Sequence, residues 1–120
     1  MIRRTLATAA AIMIYSVALA DTPFEGVYLP LKADPATWDC QNIGFEGGAV
    51  AIEGNWLIDI ENACELNNPT DVRGLHAILY DGQCAAEGEE YVERIMLMEQ
   101  AHGGVFVIRD ASVDLWKPCR

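Results

Sequence analysis

From Gly47 to Leu66 the chain reads as two strands of period two around a two-residue loop, and no other stretch constrains the fold so tightly. Val50 and Ile52 alternate with Ala51 and Glu53, and Gly54-Asn55 has the composition of a primed turn. Beyond it, Trp56, Ile58, Ile60, Cys64 and Leu66 share one parity, while Asp59, Glu61 and Glu65 share the other. Successive strand side chains point to opposite faces, so the pattern predicts one dry face, with Trp56 on it, and one wet face. Asn67-Asn68-Pro69 is expected to end the strand, because it combines turn-forming side chains with a missing amide donor.

The remaining segments fit the same class. A strand is expected over Gly74 to Cys84, with Leu75, Ala77 and Leu79 on one face and His76, Ile78 and Tyr80 on the other. Glu89 to Gln100 is ambiguous: Tyr91, Val92, Ile95, Met96 and Met98 also form a helical stripe, and Glu, Arg, Leu and Met favour helix. Strand is preferred because a Gly103-Gly104 turn and the apolar run Val105 to Arg109 follow, which makes a hairpin. Phe24 to Leu29 supplies a first strand, and Val113 to Cys119 a last one after the turn Asp110-Ala111-Ser112. Pro30 to Gly48 reads as a loop pinned by Cys40. The expected fold is all-β, a small antiparallel barrel or sandwich of about six or seven short strands.

Ahead of this lies an export signal. Arg3 and Arg4 precede an uncharged run that ends in Ala18-Leu19-Ala20, the order of a basic n-region, an apolar h-region and an A-x-A cleavage site. The run from Leu6 to Ala20 is shorter than the roughly 20 residues of a membrane span, and no cysteine follows it to accept a lipid. Residues 1–20 are therefore read as a signal peptide cleaved after Ala20, and residues 21–120 as a single acidic, disulfide-bridged β domain in the periplasm or secreted, with no membrane insertion of the mature chain. Cleavage removes two of eight basic residues and none of 18 acidic ones, which takes the net charge from −10 to −12. So acidic a chain repels phosphate backbones and anionic membranes, and it has no phosphate-binding glycine motif, so nucleic acid is not an expected partner.

Cys40, Cys64, Cys84 and Cys119 all fall in the mature part, and an even count in a short exported domain reads as a disulfide framework. Their separations of 24, 20 and 35 residues include no C-x-x-C pair and neither histidine is close, which argues against zinc. Of the three connectivities, the sequential one, Cys40 with Cys64 and Cys84 with Cys119, is expected, since it would tie each half of a meander to itself.

No catalytic constellation can be located by spacing, and neither a catalytic residue, a cofactor nor a metal is assigned. Ser112 reads as a turn serine beside Asp110 and Asp114, with no histidine near it in sequence, and Asp110-x-Ser112-x-Asp114 lacks the glycine and distal glutamate of a calcium loop. His76 shares its parity with Ile78 and Tyr80 and is expected in the core or strand; His102 is expected in a solvated turn. The densest acidic run, Glu87-Gly88-Glu89-Glu90, is expected at a hairpin tip, where Glu87, Glu89 and Glu90 are candidate contacts for a basic protein. Trp116 has the parity opposite to Val113, Leu115 and Cys119, so it faces outward or fills a second layer; the core reading is preferred for it and for Trp38 because of the apolar area a tryptophan buries, and either one, if exposed, is a candidate contact residue.

The layout Phe24-x-Gly26-x-Tyr28, Cys40, Cys64, Cys84-x-x-Glu87-Gly88-Glu89 and Cys119-Arg120 resembles small exported proteins of unknown function from alphaproteobacteria. The resemblance implies a bridged β domain and carries no catalytic residue. At the level of fold, small acidic cysteine-bridged β domains are also similar to periplasmic inhibitors of lysozyme or of proteases, although no inhibitory motif matches here. The leading expectation is an exported acidic binding or inhibitory module that recognises a basic periplasmic or extracellular protein. The alternatives are an accessory or structural subunit of a cell-envelope complex, and a small enzyme or ligand carrier.

Overall fold

Two-residue turns set the architecture. In the computed structural model, which describes residues 22–119, eight strands follow one another as a meander: β1 (Gly26–Pro30), β2 (Val50–Glu53), β3 (Trp56–Asp59), β4 (Asn62–Asp71), β5 (Ala77–Ala86), β6 (Glu89–Gln100), β7 (Gly104–Arg109) and β8 (Ser112–Pro118). Each pairs antiparallel with the next, and β8 returns to β1 through Tyr28↔Pro118, Leu29↔Lys117 and Pro30↔Trp116, so the sheet closes into a barrel without edges. The signal peptide expected over residues 1–20 lies outside the described residues. Among the described residues no helix is long and apolar enough to cross a membrane.

The Gly54-Asn55 loop forms as expected: Glu53 pairs with Trp56, and Gly54 has a φ of +58°, the left-handed value a primed turn needs at its first position. The expected single strand after it is two strands. Ile60-Glu61 reverses the chain between Asp59 and Asn62, with Glu61 at a φ of +59°. Parity flips across that turn. Leu57, not Trp56, therefore points inward, and Trp56 is 43% exposed, while Cys64 and Leu66 keep their core positions. This turn accounts for the eighth strand.

Asn67-Asn68-Pro69 does not end the strand either. Asn67 pairs with Asp81 and Thr70 with Leu79, so Asn68 and Pro69 together oppose Tyr80 in a bulge. The bulge absorbs the missing proline amide, and the Asn68 side chain donates to Asp81 at 2.9 Å. Glu89 to Gln100 is strand along its whole length, paired with β5 from Ala77↔Met98 to Ala86↔Glu89. Strand wins over helical propensity because Ile95 and Leu97 lie inside the barrel and residues of the opposite parity lie outside.

The interior is filled by side chains from all eight strands, among them Tyr28, Ile52, Leu57, Leu66, Tyr80, Ile95, Val107 and Trp116. Trp116 is only 2% exposed, which agrees with the core reading and removes the outward alternative that its parity left open. In β8 the inward set is Asp114 and Trp116, and the apolar Val113 faces water at 64% exposure.

All four cysteines are bridged, but not sequentially: the pairs are Cys64–Cys84 and Cys40–Cys119. The physical reason is the pairing of strands. Cys64 and Cys84 sit directly opposite each other on β4 and β5, both buried in the core. Barrel closure brings the end of β8 beside β1, and the long β1–β2 loop reaches across to place Cys40 against Cys119. The expectation that this loop is pinned by Cys40 holds.

Candidate functional site

In an up-and-down barrel alternate connections lie at the same end, so the β1–β2 loop and the turns Ile60-Glu61, Glu87-Gly88 and Asp110-Ala111 gather at one end. Each of those three turns carries an exposed carboxylate, Glu61, Glu87 or Asp110. Exposed Glu89 and Glu90 follow the second turn, and the loop adds Asp34 and Glu46. Among the described residues the cations at or near this end are Lys32, Arg94, which lies 3.6 Å from Asp81, and Arg109. The opposite end is mixed, with Arg73, Lys117 and both histidines among its carboxylates.

The Glu87-Gly88 turn is the hairpin tip expected from sequence. Both residues have left-handed φ, +50° and +80°, as a two-residue turn of the I′ kind requires. Glu87, Glu89 and Glu90 project from it into solvent. The loop is held by its own side chains: Asp39 accepts from the backbone N–H of Gln41 at 2.7 Å and of Asn42 at 3.0 Å, and from the Asn42 amide at 2.7 Å. The Asn42 and Gln41 N–H groups hold the Asp39 carboxyl below its ordinary range, because they bond to its charged form.

Just inside this end lies an ion cluster that sequence reasoning missed. Arg109, on the inward parity of β7 after Val105 and Val107, is 14% exposed and faces three carboxylates. Its Nη1 donates to Asp59 at 3.2 Å and lies 3.9 Å from Asp114. Glu93 lies 2.9 Å from Nε but off the N–H axis, so that contact is an ion pair rather than a hydrogen bond, and Nη2 has no hydrogen-bond partner among the described residues. The signal was present: Glu93 precedes Ile95 and Leu97, and Arg109 follows Val105 and Val107, each a charge that ends an inward apolar series.

Beside this cluster, under the β1–β2 loop, is a cavity of about 570 Å³. Trp38 and Trp116 both line it, with Lys32, Glu46, Asp59 and Asp114. The structure thus brings together the two tryptophans named from sequence, one half-buried and one buried. Glu87, Glu89 and Glu90 are at the same end of the barrel but outside the cavity wall. A shallower apolar groove runs past exposed Phe45 over Ile58, Ala63 and Ala85, with Glu61 and Glu87 at its margin.

A second cavity, of about 490 Å³, opens at the opposite end between Phe24, Tyr28, Leu75, Ile78, His76 and Glu99. His76 is not a core residue: it lies in the β4–β5 connection with its side chain 91% exposed, 4.0 Å from Glu99. Its parity places it on the inner face only if β5 begins at Gly74, and β5 begins at Ala77. Tyr28 donates its hydroxyl to the carbonyl of Phe24 at 2.5 Å, and burial pushes the phenol pKa up. Ser112 is the first residue of β8 rather than a turn residue, and it lies at the acidic end, whereas His76 and exposed His102 lie at the other. The barrel keeps that serine and the histidines apart. The converging metal-ligand residue types among the described residues are Cys64, Cys84 and Glu93, and the two sulfurs are bonded to each other.

Comparisons with protein-family models, with curated proteins and with solved structures gave no match.

Proposed function

We propose that the chain is an exported binding or inhibitory module whose acidic end engages a basic protein in the periplasm or outside the cell. The observation that carries this reading is the sorting of charge: one end of the barrel combines carboxylates on every turn with three cations, of which Arg94 and Arg109 are already paired with carboxylates. A ring of like charge of that kind steers an oppositely charged partner and suppresses wrong ones. Two disulfides are compatible with an oxidising compartment, and cleavage after Ala20 would deliver the chain there.

The filled interior favours this reading over a ligand carrier of the lipocalin kind, which needs a hollow barrel. An accessory subunit of an envelope complex is the second reading, supported by apolar side chains on the outer wall, chiefly Val92 at 73% and Val113 at 64% exposure.

The test is affinity capture by the mature protein from an envelope extract at low and high salt, alongside the variant Glu87→Gln/Glu89→Gln/Glu90→Gln. A basic protein retained at low salt, released at high salt and lost with the variant is the expected result, since exposed charges are screened beyond about 10 Å at 0.1 M salt. Capture that ignores both salt and the substitutions overturns it, and stoichiometric, salt-resistant co-purification would favour the envelope subunit.

A further inference from the structure

We propose that the cavity between Trp38 and Trp116 is the receptor for a lysine or arginine side chain of the basic partner, an inference that rests on the preceding reading and gives it an anchor point. The cavity opens at the acidic end, so a cation drawn toward that end meets it. At about 570 Å³ it lies in the size range of small-molecule sites, roughly 300–1,000 Å³, and exceeds what one extended side chain fills.

Its lining suits a long side chain that is apolar along its stem and positive at its head. Leu31, Ile60 and the half-buried indole of Trp38 offer apolar surface for the methylenes, and an indole face attracts a cation electrostatically. Three lining residues are acidic and one, Lys32, is basic. Asp59 is already engaged, by Arg109 through one oxygen and by the Ile60 N–H at 2.7 Å through the other. Asp114 is not: its one contact among the described residues is Arg109 at 3.9 Å, and its side chain is half exposed. Glu46 is exposed and has no ion partner among the described residues. Two carboxylates beside the Trp38 indole therefore line the cavity, offset by Lys32 and by the Arg109 that Asp114 shares with Asp59 and Glu93. A neutral apolar guest would gain nothing from those carboxylates, and an anion would be repelled by them.

The experiment titrates the mature protein with the Nα-acetyl methylamides of lysine, arginine and norleucine while tryptophan emission is recorded. Trp116 belongs to the core, so the variants are Trp38→Ala and Asp114→Asn, with Trp38→Phe as the conservative control and circular dichroism as the check on folding. The expected result is a saturable emission change with the lysine and arginine compounds and none with norleucine. Binding should weaken about tenfold in each of the first two variants and recover in part with Trp38→Phe, in line with the usual strength of a partly desolvated cation–π contact. Equal binding of norleucine, or cation binding that neither variant weakens, overturns the proposal. The hairpin-tip triple variant separates the two readings: it should lose the protein partner yet keep binding the lysine compound. Protein capture that survives Trp38→Ala and Asp114→Asn removes the cavity from the interface and leaves the acidic-end reading standing, whereas binding of the lysine compound without capture of any basic protein does the reverse.

Discussion

Removing the Cys40–Cys119 bridge tests how the barrel is closed. The two cysteines are 79 residues apart in sequence, against 20 for Cys64 and Cys84. In the chain-entropy account, cross-links of those lengths restrict the unfolded chain by about 4.5 and about 3.3 kcal/mol at 25 °C. The longer bridge also guards the weakest seam. β8 and β1 share three residue pairs, two of which include a proline that has no amide to donate, and bonds from Leu31 N to Leu115 O and from Cys119 N to Val27 O, 3.0 and 2.9 Å, close its two ends, the second of them at the bridge. Cys40→Ala/Cys119→Ala should therefore lose about 4 kcal/mol in urea denaturation, a fall in Tm of roughly 20 °C for a domain of this size. Hydrogen exchange at the Leu31 amide should accelerate in the native state, because the seam opens locally before the barrel unfolds. Cys64→Ala/Cys84→Ala should lose about 3 kcal/mol from the cross-link and more from the buried sulfur volume, with Leu31 exchange tracking global unfolding only. A loss below 1 kcal/mol in the first variant, or Leu31 protection unchanged relative to global stability, would refute the argument.

Arg109→Met should destabilise the protein by about 2–3 kcal/mol, between an exposed ion pair and a broken buried one, because it leaves Asp59 and Glu93 facing each other about a fifth exposed. Adding Glu93→Gln should restore part of that loss, and a thermal melt showing no recovery would deny the role given to the cluster. Gly48→Ala would drive a methyl group into the backbone carbonyl of Asn42 and should cost about 1–3 kcal/mol, whereas Gly47→Ala meets open space and carries only the penalty of about 1 kcal/mol for its φ of +84°. Equal melting temperatures for the two would show that the loop yields at Asn42. Burial raises the pKa of Tyr28 and Tyr80 above 10.0, so above that pH the unfolded chain releases protons that the folded one retains, and stability falls as pH rises. Melting curves between pH 9 and about 11 should show a shallower alkaline decline in Tyr28→Phe, and an identical slope would exclude Tyr28 as a contributor.

Alternation, turn composition and cysteine parity made much of this fold legible before any coordinates. The Gly54-Asn55 turn, the Glu87-Gly88 tip and the strand character of Glu89 to Gln100 follow from local chemistry. The failures are places where local chemistry gives no warning. Ile60-Glu61 contains no glycine, proline or asparagine, yet Glu61 takes a left-handed φ, and counting parity through it put Trp56 inside and Leu57 outside. Pro69 looks like a strand terminus and is absorbed by a bulge. The cysteine pairing depends on which strands become neighbours, a property of topology that spacing does not encode. At the candidate site, the glutamates at the tip and the two tryptophans could be named from sequence, but the Arg109 cluster and the shared cavity needed strands distant in sequence to be laid side by side.

A closed ladder has a consequence for recognition. Proteins with an open sheet can capture an extended peptide by lending it a strand, so that main-chain bonds supply affinity whatever the peptide's sequence. Here every strand already has two neighbours, and that mode is denied. A partner has to be met by side chains and turns alone, so specificity can be retuned one residue at a time on connections that leave the ladder intact.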